Sequence, residues 1–241
     1  NIPVPTSYMA YHSDYNFVGG YDYSVEAGVL HIADHHVSPG KKQWTWGCGE
    51  FGQAWDRNLT DEDGPYVELM TGCFTDNQPD FSWLAPYEEK TFTQYFMPYK
   101  KCGYVKNASR ECVLGLEVAQ GKAEVKVYTT QPFAKARVVL TANGIPLYDH
   151  VGDLSPVEVL EASVPVDVPE TALTLTVYAA SGRMLLSYTT KEKKIESIPD
   201  PMSPAKQPEE IMTNEELYLT GLHLEQYRHA TYLPDPYYLE A

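Results

Sequence analysis

Between residues 111 and 190 the chain alternates apolar and polar side chains in short runs, at 112–118, 123–128, 136–141, 157–164, 173–178 and 184–189. A period of two sends successive side chains to opposite faces, which is the pattern of half-buried strands. In 136–141 the even positions Ala136, Val138 and Leu140 predict a core face, opposite Arg137, Val139 and Thr141. Asn143-Gly144-Ile145-Pro146 and Ser181-Gly182 are turn signals between runs. Six or seven short strands at this spacing predict an immunoglobulin-like β-sandwich, although the Cys…Trp…Cys pattern of antibody domains is absent.

Residues 1–110 read differently. They are rich in Gly, Pro and aromatic residues, with β-prone runs at 28–32 and 92–97. Gly19-Gly20, Ser38-Pro39-Gly40 and Asp63-Gly64-Pro65 read as turns, and no helical period stands out. Residues 191–213 read as a linker, charged at 191–194 and interrupted by Pro199, Pro201, Pro204 and Pro208. Thr213 or Asn214 then caps a helix with Glu215 and Glu216 in its first turn. Leu217, Gly221 and Leu224 share a face of that helix; Pro234 and Pro236 end it, and Tyr237-Tyr238-Leu239 open another. The expectation is a mainly β protein with four parts. These are a β unit over 1–110, a sandwich over 111–190, a linker over 191–213, and the start of helical repeats over 214–241. The break should fall near residues 107–115, with helix only after about residue 213.

Charge narrows the partners. With 33 acidic against 18 basic residues the net charge is −15, which repels phosphate backbones, so nucleic acid is not expected as a partner. No apolar run approaches the roughly 20 residues of a membrane span, so no membrane partner is expected either. The chain opens on Asn1, and residues 1–13 have no signal-peptide pattern; the expectation is a fragment or a processed chain. Cys48, Cys73, Cys102 and Cys112 form no CxxC pair, which argues against a zinc site and against a disulfide framework. A reduced compartment, and so the cytoplasm over the periplasm, is favoured; no cofactor and no metal site are assigned.

The chemistry-bearing residues crowd into 28–83. His31, Asp34, His35, His36, Lys41, Lys42, Trp44, Trp46, Trp55, Glu68, Asp76, Asn77, Asp80 and Trp83 all lie there, and they include every tryptophan of the chain. Flat aromatic faces suit the C–H faces of sugar rings, while acids, amides and histidines suit hydroxyls and proton transfer. Trp44 and Trp46, two apart, share a strand face; core packing and ring stacking both remain open for them. On a strand His31 and His35 would stand about 13 Å apart, too far to share a metal, whereas Asp34 and His36 would stand about 6–7 Å apart and could bind one ion or ligand together. Hydrogen bonds to a ligand or to one another are the preferred reading. Lys41 and Lys42, after the Ser38-Pro39-Gly40 turn, suit either solvent or an anionic sugar group. Alternation puts Tyr66, Glu68 and Met70 on one face and Val67 and Leu69 on the other.

The stretch from Glu68 through Thr75-Asp76-Asn77-Gln78-Pro79, with Pro86-Tyr87-Glu88 and Tyr95-Phe96 beyond it, resembles the C-terminal signature of aldose 1-epimerases (galactose mutarotases). The upstream phrase from Gly28 to Gly47, with His-Ile-Ala-Asp-His-His and Lys-Lys-Gln-Trp-Thr-Trp, resembles a narrower group. Its members are uncharacterised bacterial proteins that join a mutarotase-like β-supersandwich to tetratricopeptide repeats. The resemblance covers roughly residues 15–100. It implies a concave sheet that binds carbohydrate. In that family a Glu takes the anomeric hydroxyl proton and a His donates one to the ring oxygen; the position matching the Glu is Glu68. The family's His lies further upstream of its Glu than His31, His35 or His36, and Leu69 stands where Pro is usual. On this resemblance Glu68 is the candidate general base, with His31, His35 or His36 as its partner. Asp34, Lys41, Lys42, Trp44, Trp46, Asp76 and Asn77 are candidate ligands of a small saccharide. Two functional classes follow: a carbohydrate-binding or carbohydrate-processing domain, epimerase-like or glycosidase-like, and a non-catalytic scaffold that meets a protein partner through C-terminal helical repeats.

Overall fold

The computed structural model describes residues 2–60, 62–75, 82, 84–192, 203–227 and 232–241. They form two compact units, Asn1–Thr75 with Lys90–Glu192, and Asp76–Glu89 with Lys193–Ala241. The protein is mainly β, with several sheets and short helix at the C-terminus.

The alternating half folds as expected. Strands β8 (Cys112–Ala119), β9 (Lys122–Thr129) and β12 (Leu160–Pro165) join β7 (Val105–Ala108) in the antiparallel order β12-β9-β8-β7. Strands β10 (Phe133–Ala142), β11 (Ile145–Leu154), β13 (Leu173–Tyr178) and β14 (Met184–Thr189) form a second sheet, β11-β10-β13-β14. Leu114, Leu116, Val125 and Val127 of the first sheet meet Val138, Leu140, Leu173, Leu175 and Val177 of the second in one core, each at most 1% exposed. Ala136, Val138 and Leu140 are the buried face the alternation predicted. This is sandwich packing, two inner faces interdigitating.

Strand β11 was not foreseen. Asn143 and Gly144 both take positive φ, 49° and 84°, the requirement of a two-residue hairpin turn. The strand therefore restarts at once, at Ile145. Pro146 is tolerated because β11 is an edge strand.

Residues before 110 contribute two further sheets. Strands β2 (Phe17–Asp22), β3 (Ala27–Ala33) and β6 (Gln94–Lys100) pair as β2-β3-β6, and β1 (Thr6–Met9), β4 (Gly40–Thr45) and β5 (Val67–Gly72) pair as β1-β4-β5. Gly19-Gly20, read as a turn, lies inside β2. A side chain at Gly19 would strike the Val29 carbonyl at 2.4 Å, so close backbone approach requires glycine there, whereas one at Gly20 would make an ordinary contact with Leu69 Cδ1 at 3.4 Å. Leu30, Ile32, Met97 and Tyr99 of the β3 sheet bury one face with Val113, Tyr128 and Val159. Val113 and Leu114, neighbours in β8, thus point into different cores, and the β8 sheet is covered on both sides.

Helix before residue 213 corrects another expectation. Helix α1 (Glu50–Leu59) follows Trp46-Gly47-Cys48-Gly49. Phe51, Trp55 and Leu59 recur four apart along it, a helical period that Gly52 and the surrounding glycines obscured. A single 3₁₀ turn also forms at Glu170–Ala172.

In the smaller unit α2 (Asn214–Tyr227) begins where predicted, with the Glu216 amide donating to Thr213 Oγ1 at 3.2 Å. Its Leu217 and Leu224 pack with Ile211 and with Tyr237 of α3 (Asp235–Glu240). Pro208, expected to preclude regular structure, starts a 3₁₀ turn at Pro208–Glu210, where proline at the first position costs no hydrogen bond.

Candidate functional site

The structure sorts the predicted site residues into three groups. The first lies on one face of β1-β4-β5. Register pairs Lys42 with Met70 and Trp44 with Glu68, so alternation sets these side chains on the same side, and Trp46 follows one residue past β4. Helix α1 brings Trp55 onto Trp46, with ring centroids 4.8 Å apart and planes 15° apart. Trp44 meets Trp46 edge-on at 5.6 Å, and Phe51 lies 6.1 Å from Trp46. Lys42 Nζ stands 5.8 Å above the Trp44 ring, within cation–π range. Trp46 Nε1 donates to Tyr66 Oη at 3.0 Å, and Tyr66 Oη donates to Glu68 Oε1 at 3.3 Å. An indole, a phenol and a carboxylate thus form one chain of hydrogen bonds beside the aromatic rings. Trp55 is 37% and Phe51 57% exposed.

The second group is buried. His31 is 5% and Lys41 4% exposed. His31 Nε2 bonds Gln94 Oε1 at 2.9 Å, its ring lies 5.2 Å from Phe96, and its Nδ1 has no partner among the described residues. Burial pulls its pKa below the ordinary histidine value; the Gln94 bond opposes this and the Lys41 charge adds to it. Lys41 donates to the Tyr15 carbonyl, and burial pulls its pKa down too. The idea that Lys41 and Lys42 hold one anion together fails on the period of two. Adjacent strand residues face opposite ways, and Lys41 turns inward.

The third group is a turn. Asp34, His35 and His36 follow β3, but they are not strand residues as the spacing argument assumed. The Asp34 carbonyl accepts the amides of Val37 and Ser38 at 3.1 and 2.8 Å, and Asp34 Oδ1 accepts the His36 amide at 2.9 Å. An Asp side chain bonding its own backbone two residues on turns the chain. The turn gathers one donor atom from each of the three residues to within 4.8 Å of one another.

No hydrogen bond or ring contact joins Glu68 to His31, His35 or His36 among the described residues. The hydrogen-bonded neighbour of Glu68 is Tyr66, which the sequence reading placed on the right face without a role. Asp76, Asn77, Asp80 and Trp83 lie outside the described residues. The sequence reading also missed a groove of ≈ 900 Å³ between the β2-β3-β6 and β1-β4-β5 sheets, whose lining includes Gly20, Val29, Gln43, Leu69, Tyr99 and Tyr104. It is assembled from side chains distant in sequence, and its glycines carry no chemistry to flag.

Architecture and site together define a β-sheet protein with a tryptophan-rich, acid-bearing sheet face. Two family models match it. Residues 3–100 match the one described as Domain of unknown function (DUF5107), and residues 107–188 match YphG-like protein, second domain. The matches indicate an uncharacterised family. No solved structure matches the chain.

Proposed function

We propose that the tryptophan face of β1-β4-β5 binds a small saccharide. The observation that carries this is the Trp46–Tyr66–Glu68 hydrogen-bonded chain beside Trp44. Indole faces pack on the C–H faces of sugar rings, and a carboxylate pre-oriented by a phenol beside them accepts ring hydroxyls. Lys42, over Trp44, suits a uronate or phosphorylated sugar. The resemblance of this region to aldose 1-epimerases supports the same ligand class. If the site turns over, Glu68 is the general base at the anomeric centre, and its acid partner is a group other than the three histidines, Tyr66 being the nearest hydroxyl by hydrogen bonding.

The test is a glycan array followed by titration calorimetry. Trp44→Ala should weaken binding about 2–13-fold, the worth of one aromatic contact at roughly 0.5–1.5 kcal/mol. Trp44 is the better probe because Trp46 also packs on Trp55. Anomer interconversion followed by NMR, wild type against Glu68→Gln, decides catalysis: equal rates leave binding alone. A folded protein that binds no saccharide sinks the proposal.

One observation favours the scaffold reading. The smaller unit carries a groove of ≈ 890 Å³ whose lining includes Leu219, Thr220, His223 and Tyr232, a form suited to a partner's helix or extended segment. A partner captured through residues 203–241, and lost in Leu219→Asp, supports it.

A further inference from the structure

We infer that the Asp34-His35-His36 turn is a binding site for a divalent transition ion of the Zn²⁺, Ni²⁺ or Cu²⁺ class. Three features of the turn point there. The first is the donor set. Two imidazoles and one carboxylate offer atoms within 4.8 Å of one another. Two ligands on one ion at about 2.1 Å stand roughly 3.4 Å apart in tetrahedral geometry, so closure needs only rotation of side chains that are exposed or half-buried. Nitrogen-rich sets of this kind select Zn²⁺, Cu²⁺ and Ni²⁺ over the oxygen-seeking Ca²⁺ and Mg²⁺.

The second is the tautomer of His35, which the hydrogen bonds fix. The His35 amide donates to Asn16 Oδ1 at 3.0 Å. An amide N–H only donates, so the Asn16 atom it reaches must be the oxygen. The same oxygen lies 2.7 Å from His35 Nδ1, and an oxygen acceptor there requires Nδ1 to carry the proton. Nε2 is then the unprotonated nitrogen, its lone pair available for a metal. This is the outer bond that metal-ligating histidines make: one ring N–H given to a carbonyl or carboxylate, the other nitrogen to the ion. Asn16 is itself held, its carbonyl accepting the Ala33 amide at 2.9 Å.

The third is the state of the other two ligands. One oxygen of Asp34 is occupied by the His36 amide, which aims the carboxylate, and Oδ2 has no hydrogen bond among the described residues. The rings of His35 and His36 stand 4.0 Å apart at 37°, side by side rather than splayed into solvent. Three protein ligands leave coordination positions open to water or a ligand, as in sites that act on something.

Calorimetric titration of the 241-residue chain with ZnCl₂, NiCl₂ and CuCl₂, against CaCl₂ and MgCl₂, tests this. The expected result is one transition ion per chain and no comparable heat with calcium or magnesium. The double variant His35→Ala/His36→Ala should lose at least about 100-fold in affinity, and Asn16→Ala about 10–100-fold. Far-UV circular dichroism confirms that each variant is folded. Nitrogen-15 NMR of the imidazoles checks the tautomer directly: His35 should be the Nδ1–H form in the wild type, lose that preference in Asn16→Ala, and shift at Nε2 when one equivalent of ZnCl₂ is added. Stoichiometric binding that survives the double variant would place the ion outside this turn and overturn the inference. So would a preference for calcium, or the absence of binding by folded protein.

Discussion

Replacing Gly52 with alanine should destabilise the protein and separate two stacked tryptophans. Helix propensity alone predicts the reverse, since alanine is favoured over glycine in a helix by up to about 1 kcal/mol. Gly52 lies in the first turn of α1, and its Cα faces the chain segment that leaves β4. An added Cβ would stand 1.9 Å from the Gly47 carbonyl oxygen, 2.7 Å from the Gly47 carbonyl carbon and 2.8 Å from the Trp46 carbonyl oxygen. All three are backbone atoms, so no side-chain rotation relieves the clash, and α1 must retreat by about 1 Å. Overpacking of this kind costs about 1–3 kcal/mol. The retreat also pulls Trp55 from Trp46, now at 4.8 Å, forfeiting part of an aromatic contact worth about 0.5–1.5 kcal/mol. Against the propensity gain, a net loss of about 1–2 kcal/mol remains, or roughly 2–8 °C in Tm for a chain of this size. Thermal melts followed by tryptophan fluorescence report this region selectively, because all four tryptophans lie between residues 44 and 83. Near-UV circular dichroism should lose intensity as the Trp46–Trp55 stack opens. Asn58→Ala, at an exposed position of the same helix, is the control and should show only the propensity gain. A Gly52→Ala protein with a raised Tm and an unchanged near-UV spectrum would refute the reasoning.

Three further outcomes are expected. Burial holds the folded His31 pKa below its unfolded value of about 6.5, so the unfolded state binds the proton first; stability is full above that value and declines as pH falls through it, and urea midpoints measured from pH 8 to 5 should show a shallower decline in His31→Gln. Leu140→Ala, at a fully buried position between the two sandwich sheets, should cost about 2–5 kcal/mol by chemical denaturation. Burial pushes the Cys102 thiol up to about 12 and the Cys112 thiol higher still, so iodoacetamide at neutral pH should label exposed Cys48 quickly and leave Cys102 and Cys112 unlabelled until the protein unfolds, as read by peptide mass spectrometry.

Period-two patterning was legible wherever a strand buries one face and wets the other. That is why β13 and β14 fall where the alternation put them, and why Ala136, Val138 and Leu140 were found as core. It failed where local geometry overrode the period. The 34–36 segment follows a strand directly, but the Asp34 side chain captures the His36 amide and bends it into a turn. For Lys41 the pattern offered solvent or an anionic sugar group but not burial, because its partner is the Tyr15 carbonyl, distant in sequence, which no local pattern reveals. The pairing of Trp44 and Trp46 was legible from their spacing. Their partners were not, because Glu68 reaches Trp44 through β5 and Trp55 reaches Trp46 through a helix hidden by its glycines.

The two-sided burial of the β8 sheet bears on the order in which the chain is made. During synthesis residues 1–100 leave the ribosome before β8 and β9 exist. Leu30, Ile32, Met97 and Tyr99 then have nothing to close against until Val113 and Tyr128 follow. The nascent β2-β3-β6 sheet must wait with a greasy flank open to water, a state in which hydrophobic surface invites aggregation. The later segment is therefore both a domain and the lid of the one before it. A gene cut between the two matched regions would yield two pieces, each missing the surface that keeps it soluble.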